Sequence, residues 1–170
     1  PPPTRPGRIL IGCPPDEEHT FPLLLTSLLL RRRGWETIYL GGNVPLQNLA
    51  ATVAAAHAHL VVLAAQQLST AAGLLAMANV LQHERVPLAY GGLIFNRVPG
   101  LQRAIPGVYA GSRIDSAIAA LDEIMAAPST HTAALTPDNA HSDTLARFVA
   151  RRAEIEGAVQ KRLAASAAPP

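Results

Sequence analysis

Residues 59–65 read His-Leu-Val-Val-Leu-Ala-Ala, and from Leu60 to Ala64 no polar residue interrupts the run. A strand with one wet face alternates apolar and polar residues. An unbroken apolar run this short suits a strand covered on both faces, as in a parallel sheet between helices. Working back towards the N-terminus, residues 45–57 read as a helix beginning at Pro45, where a missing N–H costs nothing. Before it, WETIYL (35–40) reads as a strand ended by Gly41-Gly42. Residues 21–33 form a long apolar helix with Pro22 in its first turn. Gly34 stands where a left-handed cap belongs, and Arg31, Arg32 and Arg33 complement the helix's negative end. RILIGC (8–13) is the first strand, broken by Pro14-Pro15. Working forward from residue 65, Ser69 is placed to cap a helix running to about Glu84. VPLAYGG (86–92) is the fourth strand, and a loop through Asn96 and Pro99 leads to the short strand GVYAG (107–111). A helix from Arg113 to about Ala126 follows. Five strands alternating with helices predict an α/β fold built on a doubly wound parallel sheet.

This organisation gives a lead of residues 1–7, a domain over 8–127 and a Pro/Thr/Ala/His-rich linker over 128–141. A C-terminal helix follows over 142–165, where Leu145, Phe148, Val149, Ile155, Val159 and Leu163 fall at helical spacing. That amphipathic helix is expected to serve self-association or a protein partner. The chain of 170 residues is 49% hydrophobic but only 4% aromatic. A core rich in Ala, Leu and Val suits closely packed helices on a sheet. No stretch approaches the roughly 20 apolar residues that span a bilayer, so no membrane partner is expected. The formal charge of +2 is small and dispersed. Its dense runs, Arg31–Arg33 and Arg151-Arg152, read as solvated charge, so direct nucleic-acid binding is not expected. A single cysteine, Cys13, fits a reducing cytoplasm. The chain begins at Pro1 and ends in AASAAPP, which reads as one piece of a longer protein.

In doubly wound sheets, ligands bind beyond the carboxyl ends of the strands. The loop after the first strand, CPPDEEHT (13–20), lies at such an edge and carries His19. A neutral imidazole is a good ligand for a transition metal. Its other ring nitrogen needs an acceptor, and Glu17 is placed to supply one, with Glu18 or Asp16 as alternatives. The competing reading is a solvated acidic loop with an exposed histidine at a helix start. The other strand ends carry small residues, Gly41-Gly42, Ala64-Ala65, Gly91-Gly92 and Gly111. Small residues let a ligand approach the backbone closely. Neither GxGxxG nor a Walker-type GxxxxGK[ST] is present, which argues against a phosphate-cradling nucleotide site. His57, His59 and His83, at helix ends or a strand start, read as structural, as do Cys13 and Trp35. His131 and His141 read as surface residues of the linker.

The stretches CPPDEEHTFPLLLTSLLLRRRGWETIYLGGNVPLQNLA, HLVVLAA and YGGLIFNRVPGLQRAIPGVYAG together resemble a known family. They look like the cobalamin-binding domain of MerR-type light-responsive transcription regulators (the CarH and LitR group). More distantly, they are similar to the corrinoid domains of methionine synthase and of methyltransferase corrinoid proteins. The resemblance implies a flavodoxin-like or Rossmann-like cobalamin-binding fold. The family's Asp/Glu-x-His-x-x-Gly motif falls on Glu17, Glu18, His19, Thr20, Phe21 and Pro22. By resemblance His19 is the lower axial ligand of cobalt, displacing the dimethylbenzimidazole, and Glu17 bonds its far nitrogen. The released tail would enter a slot lined by Gly41, Gly42, Ala64, Gly91 and Gly92. Further cofactor contacts are expected from Pro15, Asp16 and Leu24, from Val44 and Pro45, and from Ala65, Gln66, Leu68 and Ser69. Leu93, Ile94 and Phe95 complete the set.

Two departures stand out. The family's motif glycine is Pro22 here, and its Ser-x-Leu/Thr element becomes Ala64-Ala65-Gln66, where Gln66 or Ser69 can replace the lost hydroxyl. The implied cofactor is adenosylcobalamin or methylcobalamin, with haem as the alternative, since a related branch of the fold binds it. The implied role is a non-enzymatic sensor or photoreceptor that signals to a transcriptional regulator or another partner. The alternative is a corrinoid carrier subunit of a methyltransferase or mutase.

Overall fold

The computed structural model describes residues 2–126. The linker over 128–141 and the C-terminal helix over 142–165 lie outside the described residues. Five strands, β1 (Arg8–Gly12), β2 (Glu36–Gly41), β3 (Leu60–Ala64), β4 (Leu88–Gly91) and β5 (Val108–Tyr109), alternate with helices α1 (Phe21–Arg32), α2 (Leu49–Ala56), α3 (Leu68–His83), α4 (Leu93–Arg97) and α5 (Ile114–Ala126). All strand pairs are parallel and the order is β2-β1-β3-β4-β5. This is the doubly wound order in which the chain reverses direction beside β1, opening a crevice between the loops after β1 and β3.

The unbroken apolar run of β3 is explained by its position: every residue from Leu60 to Ala64 is buried. Leu10, Val61, Leu63, Leu88 and Tyr90 pack with Val53, Leu74, Met77 and Leu81 of α2 and α3. Ile9, Ile11, Leu60, Val62 and Ala89 face the other way and pack with Leu23 and Leu30 of α1 and with Ile118 and Leu121 of α5. Successive residues on a strand point to opposite faces, so both must be apolar when helices cover both sides.

The end of α1 is local chemistry. Gly34 takes φ +91°, and its N–H and that of Trp35 close the last turn onto Arg31 and Leu30 carbonyls. Of the arginine run, Arg31 is not simply solvated. Its Nε donates to Thr37 Oγ1 at 2.7 Å, and Thr37 Oγ1 also meets Ser27 Oγ at 2.8 Å. Three boundaries differ from the sequence reading. The segment after Pro45 begins as a 3-10 turn, Leu46–Asn48, before α2. Gln67, not Ser69, caps α3, because Gln67 and Thr70 form a reciprocal capping box. The loop expected through Asn96 contains α4 and a 3-10 turn at Pro99–Arg103, with Pro99 in a first-turn position that proline tolerates.

Candidate functional site

The loop between β1 and α1 is wound so that its middle acid turns inward. Asp16 takes φ +63°, and its N–H donates to Asn43 Oδ1 at 3.0 Å. The N–H of Glu17 closes a turn onto Pro14 O, and Glu17 O accepts from the N–H of Asn43 at 3.0 Å. Gly42 makes this approach possible, since a Cβ there would lie 2.9 Å from Glu17 O and 3.0 Å from Glu18 Oε2. The Glu17 side chain is consequently 1% exposed, an arrangement a carboxylate tolerates only with partners on both oxygens.

Those partners come from both sides of the crevice. Oε2 accepts from the Gln66 N–H and the Thr70 hydroxyl, each at 2.7 Å, at the junction of β3 and α3. Oε1 meets His19 Nδ1 at 2.7 Å and accepts from the His19 N–H at 3.1 Å. Burial by itself would raise the pKa of Glu17, but the bonds from Gln66, Thr70 and His19 outweigh it and hold the acid below the ordinary glutamate range. An ionised acceptor on Nδ1 fixes the imidazole tautomer with its proton there, leaving the Nε2 lone pair free. The His19 side chain is 65% exposed, so that lone pair opens outward while the inner nitrogen is held.

Cys13, fully buried, lies 4.0 Å from His19 O. Its thiol is pushed up to about 11 by burial and then by the charges of Glu17 and Glu18. It stays a neutral packing thiol. Among the described residues, no group of three or more His, Cys, Asp and Glu side chains is arranged to hold a metal ion. Among those residues, His19 stands as a lone imidazole with its Nε2 open and not as one member of a protein ligand set.

The expected contact residues fall into three groups. Phe21, Leu68 and Leu93 each open a helix, α1, α3 and α4, at the carboxyl edge, and they stand 72%, 64% and 42% exposed. With Leu24 on the next turn of α1, they are exposed apolar side chains at helix starts along the edge that carries His19. Pro15, Asp16, Glu18, Thr20, Gly41, Pro45 and Ser69 lie in or beside these loops with part or all of their surface open. Val44, Ala65, Ile94 and Phe95 are instead buried among core side chains, Phe95 edge-on to Tyr90 at 4.9 Å, and they shape the floor rather than present a surface.

A cavity of about 200 Å³ opens beside this rim. Its walls are Leu23 and Thr26 of α1 and Ile114, Ala117 and Leu121 of α5, and it reaches Ala64, Gly91, Gly92, Ala110 and Gly111 at the ends of β3 to β5. Of the expected slot residues, Ala64, Gly91 and Gly92 line it, while Gly41 and Gly42 lie over the β1 loop. Gly92 is held at φ +118°, and a Cβ there would lie 2.0 Å from Ala65 O, so the β4 corner sits directly on the β3 corner. Gln66 links the two sites. Its N–H binds Glu17, while its Oε1 accepts from the Leu93 N–H at 3.0 Å.

No family model and no curated protein sequence matches the chain. Solved structures do. A novel cobalamin-binding protein from Desulfitobacterium hafniense aligns with a TM-score of 0.64 and 13% identity, covering 71% of this chain and 60% of that one. The methanol:cobalamin methyltransferase complex from Methanosarcina barkeri aligns at 0.61 and 22% identity, covering 72% and 47%. The monomethylamine corrinoid protein of the same organism aligns at 0.57 and 20% identity, covering 69% and 57%. The fold is the one these corrinoid proteins share. The chain thus spans between about half and three fifths of the length of the structures it matches.

The residues that reading the sequence missed are Thr70, Asn43 and the α5 wall. Thr70 is 2% exposed and carries the hydroxyl bound to Glu17. Its one visible signal is its place three residues after Gln67, the spacing of a capping box. Ile114, Ala117 and Leu121 recur at helical spacing, which reads as core packing from sequence.

Proposed function

We propose that the chain binds a corrinoid at the carboxyl edge of its sheet, with His19 Nε2 as lower axial ligand of cobalt and Glu17 as the acid that positions it. The observation that carries this is the 2.7 Å contact of Nδ1 with a buried carboxylate beneath a side chain 65% exposed. Buried partners on one nitrogen and open space at the other are what an axial metal ligand requires. A single protein ligand suits a metal already held by a macrocycle, and the open faces of Phe21, Leu68 and Leu93 suit its apolar breadth. The cavity walled by α1 and α5 takes the displaced nucleotide tail. A bound alkylcorrinoid supplies a cobalt–carbon bond, and adenosylcobalamin and methylcobalamin are the forms to test. Haem, the alternative occupant, would use His19 as well. What the chain's own residues do is fix the imidazole, keep Nδ1 protonated and hold the tail away from the metal.

The test is the absorption spectrum of protein loaded with each corrinoid. We expect a base-displaced spectrum that is lost in His19→Ala, and an unchanged spectrum in that variant would sink the ligand assignment. For the role of the bound corrinoid, the motif's likeness to light-responsive regulators supports a sensor. A second reading, a corrinoid carrier, draws support from the methyltransferase complex and the monomethylamine corrinoid protein among the similar structures. Illumination separates the two. A light-driven change in spectrum together with a change in assembly on gel filtration supports the sensor, and transfer of a methyl group without any light response supports the carrier.

A further inference from the structure

We infer that the cavity between α1 and α5 selects the lower base of the corrinoid, accepting a benzimidazole and rejecting a purine. This rests on the corrinoid reading above and on the tail entering this cavity. The polarity of the lining is divided by depth. Its exposed or half-exposed polar side chains are Gln66, Asn96, Ser112 and Arg113. The buried walls are Leu23, Val62 and Leu121, at 5%, 4% and 0% exposure. One hydroxyl is buried with them, and it has spent its proton: Thr26 Oγ1 donates to Pro22 O at 2.8 Å.

A purine presents ring nitrogens that need donors once water is removed, and the buried side chains have none left to give. A dimethylbenzimidazole has carbons and methyl groups where the purine's six-membered ring has nitrogens, so it buries fewer unpaired acceptors against the apolar walls. Sites discriminate strongly when a polar atom must be buried unpaired. The bias of the free ligands runs the other way. The more basic benzimidazole holds cobalt more tightly, so a preference for it must come from the cavity.

The experiment measures binding of cobinamide (which lacks the tail), hydroxocobalamin and its adenine-tailed analogue to the intact protein. We expect hydroxocobalamin to bind roughly tenfold or more tighter than the adenine analogue. Ala117→Phe, which fills the cavity, should bring hydroxocobalamin down to the level of cobinamide and leave cobinamide binding as it was. Ala117→Ser, a change of one oxygen that supplies a donor, should narrow the preference. Equal binding of the two tailed corrinoids, or a preference unaltered in both variants, overturns the inference. Cobinamide binding as tightly as hydroxocobalamin overturns it too, while leaving the corrinoid reading intact. Failure of all three to bind overturns that reading itself.

Discussion

Two carboxylates in this domain gather similar numbers of donors and do opposite work. Glu17, at the carboxyl edge, is bound by neutral donors from Gln66 and Thr70 and by one imidazole whose far side is open. Asp122, on α5, accepts from Trp35 Nε1 at 2.6 Å and is paired with Arg33 and Arg5. Burial opposes the charge at Asp122, but the indole and then the arginines lower its pKa below the usual aspartate range. At Asp122 the two cations neutralise the charge, and the cluster clamps the N-terminal lead and the end of α1 to α5. At Glu17, among the described residues, no arginine pairs with the carboxylate, and His19 Nδ1 lies 2.7 Å from it. The difference lies in the partners: the imidazole bound to Glu17 keeps an open face, whereas the cations on Asp122 are held in a clamp between segments.

The sharpest way to break this contrast is to delete each acid. Glu17→Ala strips the Gln66 N–H of its acceptor and leaves the Thr70 hydroxyl only Gln67 O, 3.1 Å away, so unfolding free energy should fall by about 1–3 kcal/mol in denaturant melts. Corrinoid binding should be lost with it. Glu17→Gln keeps the volume and should fold, but it removes the charge from Nδ1. Corrinoid affinity should drop roughly ten- to a hundredfold while stability changes less. Equal affinity in Glu17→Gln and the parent protein would show that Glu17 is structural after all.

Asp122→Asn should cost about 1–2 kcal/mol of stability and leave the corrinoid spectrum as in the parent. Its pH dependence has a definite sign. The folded pKa lies below the unfolded value of 3.8, so the stabilisation is complete above that value and is lost as pH falls through the folded pKa. The gap between parent and variant should therefore stay constant from neutral pH down to about pH 4 and close below it. The smallest effect is expected for Thr70→Val, which removes one donor from Glu17 and half of a capping box. We expect about 1 kcal/mol of stability and a severalfold loss of corrinoid affinity, both measurable against Thr70→Ser as a neutral control.

How much of this could be read beforehand varies with distance along the chain. The parallel, doubly wound sheet was legible from the unbroken run at β3 and the alternation of strands and helices around it, because burial on both faces leaves a mark in composition. The pairing of Glu17 with His19 was legible because the two residues are neighbours in sequence. Thr70 was not, since its hydroxyl reaches Glu17 across 53 residues only after β3 is laid beside β1. Ser69, the more obvious capping residue, drew attention from it. Phe95 was expected as a cofactor contact alongside the resemblance, and the structure places it in α4, buried against Tyr90. A short helix inside an apparent loop inverts which side chains face outward, and Pro99 concealed that helix.

Gln66 ties two corners of the sheet edge together. Its main chain holds Glu17, and its side chain holds the first turn of α4. Residues 13–20, moved alone onto another parallel sheet, would carry the histidine and the acid but not the donors that set them. The portable unit is the β1 loop together with the β3 corner through Thr70 and the Gly92 turn seated on it. An engineer grafting this site must therefore move three non-contiguous corners at once, and a sequence drifting away from the function should lose them together.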